Sequence, residues 1–200
     1  MLKKQLPTQH SKLSTQPRRK AMNINDLRNT FGDFAKDIKL NLGSVLSEDG
    51  APDLKQNQIF GIALASAYAT KNPMLIGAVL ADTASVLSDA EINAAKAAAS
   101  IMAMNNIYYR FSHLVSDKDF AKLPAKLRMN VIANSGVEKV DFELYCLAVS
   151  AINGCGMCMD AHVHEVSKAG VSKLGVQSAI RIASVINAAA QADFIGSLTV

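Results

Sequence analysis

The chain repeats a pattern of helix-forming segments at an offset of 84 residues, the step from Ser66 to Ser150, and this repeat constrains the fold more than any other feature. One offset aligns both the helical segment that precedes an interruption of the helical pattern and the long alanine-rich segment that follows it. Identical residues coincide in six pairs: Ser66 and Ser150, Ala67 and Ala151, Ser88 and Ser172, Ala95 and Ala179, Ala99 and Ala183, and Ser100 and Ser184. We therefore predict a duplicated helical unit.

The segments between the breaks have the three-to-four-residue apolar spacing of amphipathic helices. Aromatic residues make up 6% of the chain and tryptophan is absent, which favours closely packed helices over strands. Ser88 and Glu91 form a capping-box pattern at the start of the longest segment. Helices are predicted from Ile24 to about Leu46 (one or two), through Ile59 to Ala67, from Pro73, from Ser88 to Phe111, from about Asp141 to Ala151, from Cys155 to Gly170 and from Ser172 to Asp193, with a linker between Pro124 and Gly136. The fold class is all-α, an internally duplicated helical bundle.

The basic charge of the chain is concentrated at its start. Residues 1–21 carry six lysines and arginines and no acid, so subtracting this +6 from the net charge of +4 leaves −2 for the rest. We predict a disordered basic extension over 1–21, with Met22 as a candidate natural start, and a single domain over 22–200. Its two related halves would span about 22–125 and 136–200, with the C-x-x-C thiols in the second. A body without a basic patch is not expected to bind nucleic acid.

The sequence favours a cytoplasmic protein without a membrane partner. Residues 1–21 lack the apolar stretch of a secretory signal, and no later segment offers about 18 uninterrupted apolar residues. Three cysteines, two of them in a C-x-x-C, are too few for a secreted disulfide framework. In a reducing compartment such a pair indicates redox chemistry or metal binding.

The candidate chemistry centres on Cys155, Cys158 and His162. If the helix includes Cys155, the spacings of three and four residues place all three side chains on one face. The break at Asn153-Gly154 would put Cys155 in the first helical turn, where the positive helix end favours the thiolate. His162 could exchange a proton with a thiol; the alternative is a solvated helix histidine.

Three other titratable residues lie near this motif. Glu143 falls in an apolar segment that could shift a carboxyl group into a proton-relaying range, although an exposed glutamate near a helix start fits the pattern equally well. His164 points to a different face from His162, and Cys146 lies in an apolar run typical of an inert core thiol. Neither residue is assigned a role.

Glu143, Cys155-Gly156-Met157-Cys158 and His162 together resemble the alkyl hydroperoxide reductase D (AhpD) family, within the carboxymuconolactone-decarboxylase-like superfamily. Further blocks extend the resemblance over nearly everything from Met22 onward: 35–42, 104–106, 127–130 and 148–155. The resemblance implies an all-helical, internally duplicated fold, often homotrimeric, that acts in antioxidant defence. Such proteins reduce a partner peroxiredoxin (alkyl hydroperoxide reductase C) with electrons from dihydrolipoamide on a lipoylated acyltransferase, show weak peroxidase activity, and need no tightly bound cofactor.

The resemblance also implies roles for the site residues. Cys158 would be the attacking cysteine that forms a sulfenic acid or mixed disulfide, Cys155 its proton donor and resolving partner, and Glu143 with His162 the proton relay. This assignment differs from the helix-end argument, which makes Cys155 the more acidic thiol. Family members can carry a second histidine immediately before the later cysteine, where this chain has Met157, and methionine cannot relay protons.

Other classes of function remain open from the residues alone. Cys155, Cys158 and His162, with Glu143 or His164, could hold structural zinc, although such sites usually combine two separated ligand pairs. A decarboxylase-like or isomerase-like reaction on a ring lactone would not need vicinal thiols. A non-catalytic helical partner protein would not need the cysteines at all.

Overall fold

Residues 22–198, which the computed structural model describes, form nine α-helices and two short 3₁₀ helices and contain no strand. The 3₁₀ helices span Asp33–Ala35 and Lys118–Lys122. The α-helices are α1 (Ile24–Asn29), α2 (Lys36–Ser44), α3 (Gln56–Thr70), α4 (Pro73–Thr83), α5 (Asp89–Leu114), α6 (Asn130–Ala133), α7 (Lys139–Ile152), α8 (Gly156–Lys168) and α9 (Lys173–Ser197). The all-α prediction is confirmed.

Helices α3 and α7 form the centre of the molecule. Every residue from 141 to 150 is buried, and α3 is buried almost continuously from 58 to 67. A helix that is apolar on all sides can be stable only when other helices surround it. Accordingly, α3 packs against α5, α7 and α9, and α7 packs against α3, α5, α8 and α9.

The helices repeat as the sequence predicts. At an offset of 84, the bounds of α3, α4 and α5 correspond to those of α7, α8 and α9 within a few residues. The packing pairs correspond too, because α5 lies against α7 as α9 lies against α3, and α8 contacts α5 as α4 contacts α9. Each unit therefore contributes its long helix to the core of the other unit.

Local signals place most helix ends correctly. The Ser88 hydroxyl accepts the Glu91 amide at 3.3 Å, and the Glu91 carboxylate accepts the Ser88 amide at 2.8 Å, which confirms the capping box. Ser172 caps α9 in the same place of the second unit. The predicted linker from 124 to 136 is wrong in part, since it contains α6.

The exact division into halves at 125 and 136 stays a prediction, and the predicted disorder of residues 1–21 lies outside the described residues. Between residues 22 and 198, none of the helices combines the length and the apolar character that a membrane span requires.

Candidate active site

The two cysteines of the C-x-x-C lie at the start of α8 and are joined by a disulfide. Gly154 turns the chain with a φ of 69°, a conformation that residues with a side chain rarely adopt. Cys155 then caps α8, and its sulfur accepts the backbone N–H of Cys158 at 3.3 Å. Cys155 is 0% exposed and Cys158 is 7% exposed. The second sulfur is thus the more accessible of the two.

The prediction that Cys155 lies within the first turn of the helix is wrong. The helix begins at Gly156, and Cys155 has extended backbone angles of −97° and 93°. An N-cap position has the same electrostatic consequence, because the side chain faces the unpaired N–H groups of the first turn. The helix end therefore still favours a negative charge on the Cys155 sulfur in the reduced protein.

Glu143 and His162 form a buried pair. The Glu143 carboxylate lies 2.7 Å from Nδ1 of His162, and both side chains are buried between α7 and α8. The alternatives of an exposed glutamate and a solvated histidine are both wrong. Nδ1 faces a carboxylate, so its proton is held there, and the imidazole is oriented by the carboxylate.

The other nitrogen of His162 faces a thioether from the opposite unit. Nε2 lies 3.3 Å from the sulfur of Met102, on α5, and the Ser150 hydroxyl lies 3.5 Å from the same sulfur. A thioether can accept a weak hydrogen bond but cannot donate one. Met102 therefore packs against the histidine ring on the side opposite Glu143 and can accept from Nε2 only while that nitrogen carries a proton.

A chain of buried amides supports the turn that carries the cysteines. The Asn106 amide donates to the Ser150 hydroxyl at 2.9 Å, and the Asn153 amide donates to Asn106 Oδ1 at 2.9 Å. The Ser150 carbonyl in turn accepts the Cys155 backbone N–H at 3.1 Å. These bonds connect α5 to the end of α7 and hold the turn in place.

The disulfide opens onto a cavity of about 280 Å³ between α5, α6 and α8. Its walls are mainly apolar, and Cys158 and His162 form part of its lining. The other lining residues are Met102, Asn105, Tyr109, Met129, Ile132, Met157 and Ala161. An apolar cavity with a few polar groups next to a reactive sulfur can bind a small apolar substrate and orient its reacting atom.

The remaining candidates take no part in this arrangement. Cys146 is fully buried on α7, and burial, with the nearby Glu143 carboxylate, raises the pKa of its thiol well above the usual range. His164 is exposed. Met157, between the two cysteines of the motif, lines the cavity and is 39% exposed. Among residues 22–198, no group of three or more His, Cys, Asp and Glu is placed to hold a metal ion.

Residues 118–195 match the model of the carboxymuconolactone decarboxylase family, and the all-α fold is that of a carboxymuconolactone decarboxylase-like protein. An alkyl hydroperoxide reductase AhpD from Coxiella burnetii is 57% identical over 167 residues, which cover 84% of this chain and 94% of that protein. The AhpD proteins of Rhodopseudomonas palustris and Brucella suis are each 52% identical over 169 residues, which cover 84% of this chain and 92% and 95% of those proteins. The chain belongs to the AhpD family, as its motifs predict.

Sequence reasoning missed the contribution of α5. Met102, Asn105, Asn106 and Tyr109 reach the site from the unit that lacks the vicinal thiols. Two adjacent asparagines in the middle of an alanine-rich helix were an available signal. The helical pattern alone did not show which helix they would face.

Proposed function

We propose that this protein is a thiol-dependent alkyl hydroperoxide reductase that cycles Cys155 and Cys158 between dithiol and disulfide, with electrons from dihydrolipoamide. The observation that supports the proposal most directly is the position of the disulfide, which joins a buried sulfur at a helix end to a sulfur on an apolar cavity. The buried Glu143–His162 pair connects α7 to the same helix, α8, that carries Cys158. The names of the relatives point to the same activity.

In the oxidative half-reaction the Cys158 thiolate attacks the terminal oxygen of the hydroperoxide. The S–O bond forms as the O–O bond breaks, and the alkoxide leaves with a proton as the alcohol. Cys155 then attacks the resulting sulfenic acid, and hydroxide leaves with a second proton as water. His162, oriented by Glu143, takes and returns these protons.

In the reductive half-reaction a thiolate of dihydrolipoamide attacks Cys158, because its sulfur lines the cavity and Cys155 is covered. Cys155 leaves as the thiolate, and the Cys158 backbone N–H at the helix start stabilises it. The second thiol of the reductant attacks the mixed disulfide, releasing oxidised lipoamide and reduced Cys158. The two half-reactions convert hydroperoxide and dihydrolipoamide into alcohol, water and lipoamide.

The proposed physiological partners follow from this chemistry and from the family. A lipoylated acyltransferase would supply the dihydrolipoamide, and a peroxiredoxin of the alkyl hydroperoxide reductase C type would be reduced by disulfide exchange at Cys158. We also propose a homotrimer or higher homo-oligomer, which light scattering after size-exclusion chromatography would measure.

The test is the reduction of tert-butyl hydroperoxide by dihydrolipoamide, with and without the partner peroxiredoxin. We expect Cys158→Ser to abolish turnover and His162→Ala to lower it strongly. Cys146→Ala is the matched control, because it removes a buried thiol of α7 that does not line the cavity. In Cys155→Ser, hydroperoxide should leave Cys158 as a sulfenic acid, which dimedone labels and mass spectrometry detects.

Full turnover by Cys158→Ser would refute the proposal. Dimedone labelling of Cys155 in the Cys158→Ser protein, with none of Cys158 in Cys155→Ser, would reverse the two roles. Stoichiometric zinc in protein purified without chelators, together with unreactive thiols, would favour the structural zinc site instead.

A further inference from the structure

Asn105 is buried beside the reactive sulfur without a hydrogen-bond partner for its carbonyl oxygen. The side chain is 4% exposed, and the residue lines the same cavity as Cys158 and His162. Within the described part of the chain, Oδ1 of Asn105 is one of three buried side-chain polar atoms without a partner. Buried amides are rarely left in this state, because they lose their hydrogen bonds to water without replacement.

The neighbouring residue shows what a structural asparagine looks like in this helix. Asn106 is equally buried, but its amide donates to Ser150 and its carbonyl oxygen accepts from Asn153, each at 2.9 Å. Those bonds fix the turn before the cysteines. Asn105 makes no comparable contribution to the fold.

The repeated unit provides a second comparison. At the offset of 84, Asn105 corresponds to Ala189 of α9, which is 0% exposed. The equivalent position on α9, which contacts the thiol-free helix α4 as α5 contacts α8, is thus filled by a small apolar residue. The helical packing does not need an amide here, so its presence beside Cys158 calls for a chemical reason.

The cavity supplies that reason. Its polar lining side chains are Asn105, Tyr109 and His162. The Tyr109 hydroxyl lies beside the Met129 sulfur, Nδ1 of His162 is paired with Glu143, and Nε2 is the nitrogen that the proton transfers require. A hydroperoxide carries an O–H donor on the terminal oxygen that a thiolate attacks, and this donor needs an acceptor in a site that is mainly apolar. The last side-chain torsion of asparagine is soft, so the amide can turn towards the cavity.

We propose that Asn105 binds the hydroperoxide, accepting its O–H in a hydrogen bond while Cys158 attacks the terminal oxygen. This inference rests on the proposed function and adds a residue that distinguishes the hydroperoxide from the lipoyl group. A thiol is a weak donor, and a disulfide has no donor at all. Asn105 should therefore matter for the reaction with hydroperoxide and hardly at all for exchange with the lipoyl group.

The test compares two oxidants of the fully reduced protein in single-turnover experiments. Formation of the Cys155–Cys158 disulfide is followed after mixing with tert-butyl hydroperoxide, and separately with oxidised lipoamide, which has no O–H on its reacting atoms. In Asn105→Leu, which keeps the size without the amide, the rate constant with hydroperoxide should fall about three- to tenfold, the loss of one neutral hydrogen bond. The rate constant with lipoamide should stay within about twofold, since no such bond is removed.

Thermal unfolding separates a binding role from a structural one. Asn105→Leu and Asn105→Ala should leave Tm unchanged or raise it, whereas the matched control Asn106→Leu should lower Tm by several degrees because it breaks two buried bonds. An unchanged rate with hydroperoxide, or an equal fall with both oxidants, would overturn the proposal. Failure of catalytic turnover in the wild type refutes the proposed function instead, because single-turnover oxidation does not depend on dihydrolipoamide.

Discussion

The Glu143→Gln substitution tests the buried pair at the centre of the site. It keeps the shape of the side chain and removes its charge from a contact of 2.7 Å with His162 Nδ1. A buried hydrogen bond to a charged group contributes about 1.5–3 kcal/mol, and the neutral amide can restore about 1 kcal/mol of this. We therefore expect the free energy of unfolding to fall by about 1–2 kcal/mol at pH 7.

The effect on activity should be larger than the effect on stability. Without the carboxylate, the imidazole loses the group that orients it and stabilises its protonated form, so kcat should fall about 100-fold or more. Urea unfolding and the dihydrolipoamide-driven assay measure the two quantities on the same protein. Asp160→Asn is the control, because it makes the same change of charge at an exposed position of α8 two residues before His162.

A double-mutant cycle with His162→Gln completes the test. If the two residues act as one unit, the double variant should turn over no more slowly than the slower single variant. The coupling energy in the unfolding experiments should reach about 1 kcal/mol. Additive effects, or an equal loss in Asp160→Asn, would show that the pair is not a functional unit.

Further predictions concern the core that holds the site. A Cβ on Gly61 would lie 2.1 Å from the Tyr145 hydroxyl, so Gly61→Ala should destabilise the protein by about 1–3 kcal/mol in urea unfolding. Gly77 has open space around it, so Gly77→Ala should stabilise α4 by about 0.5–1 kcal/mol. Equal effects of the two substitutions would contradict the close approach of α3 and α7. Tyr145→Phe removes a buried hydroxyl without a partner and should be neutral or stabilising by about 1 kcal/mol, and a clear loss would reveal a missed hydrogen bond. Burial raises the pKa of the Cys146 thiol in the folded protein above its value in the unfolded chain, about 8.5. The free energy of unfolding therefore falls as pH rises above that value, because the thiol then ionises more readily in the unfolded chain than in the folded protein. Cys146→Ala should flatten this alkaline decline in pH-dependent unfolding, and an unchanged slope would assign the decline to other groups.

Much of the helical framework could be predicted from short-range signals. The Ser88 and Glu91 capping box, the breaks around Pro73 and Gly170, and the repeat at an offset of 84 all depend on residues a few positions apart or on identity between segments. Such signals act within one helix, so they place helix ends correctly whatever the helix packs against. The position of Cys155 was the exception, because cap and first turn differ by a single residue.

The fold class, the repeated unit and the vicinal cysteines with a histidine one turn beyond them follow from the amino-acid sequence alone. Three features of the site depend on how the helices pack: Glu143 contacts His162, Met102 of the other unit lies against the imidazole ring from 60 residues away, and Asn105 lies unpaired on the cavity. They could not be predicted, because a helical pattern specifies which face is apolar but not which neighbour buries it. The packing of α3 against α7 determines which helix buries each apolar face. It also brings α5 and α8 into contact, and this contact forms the site.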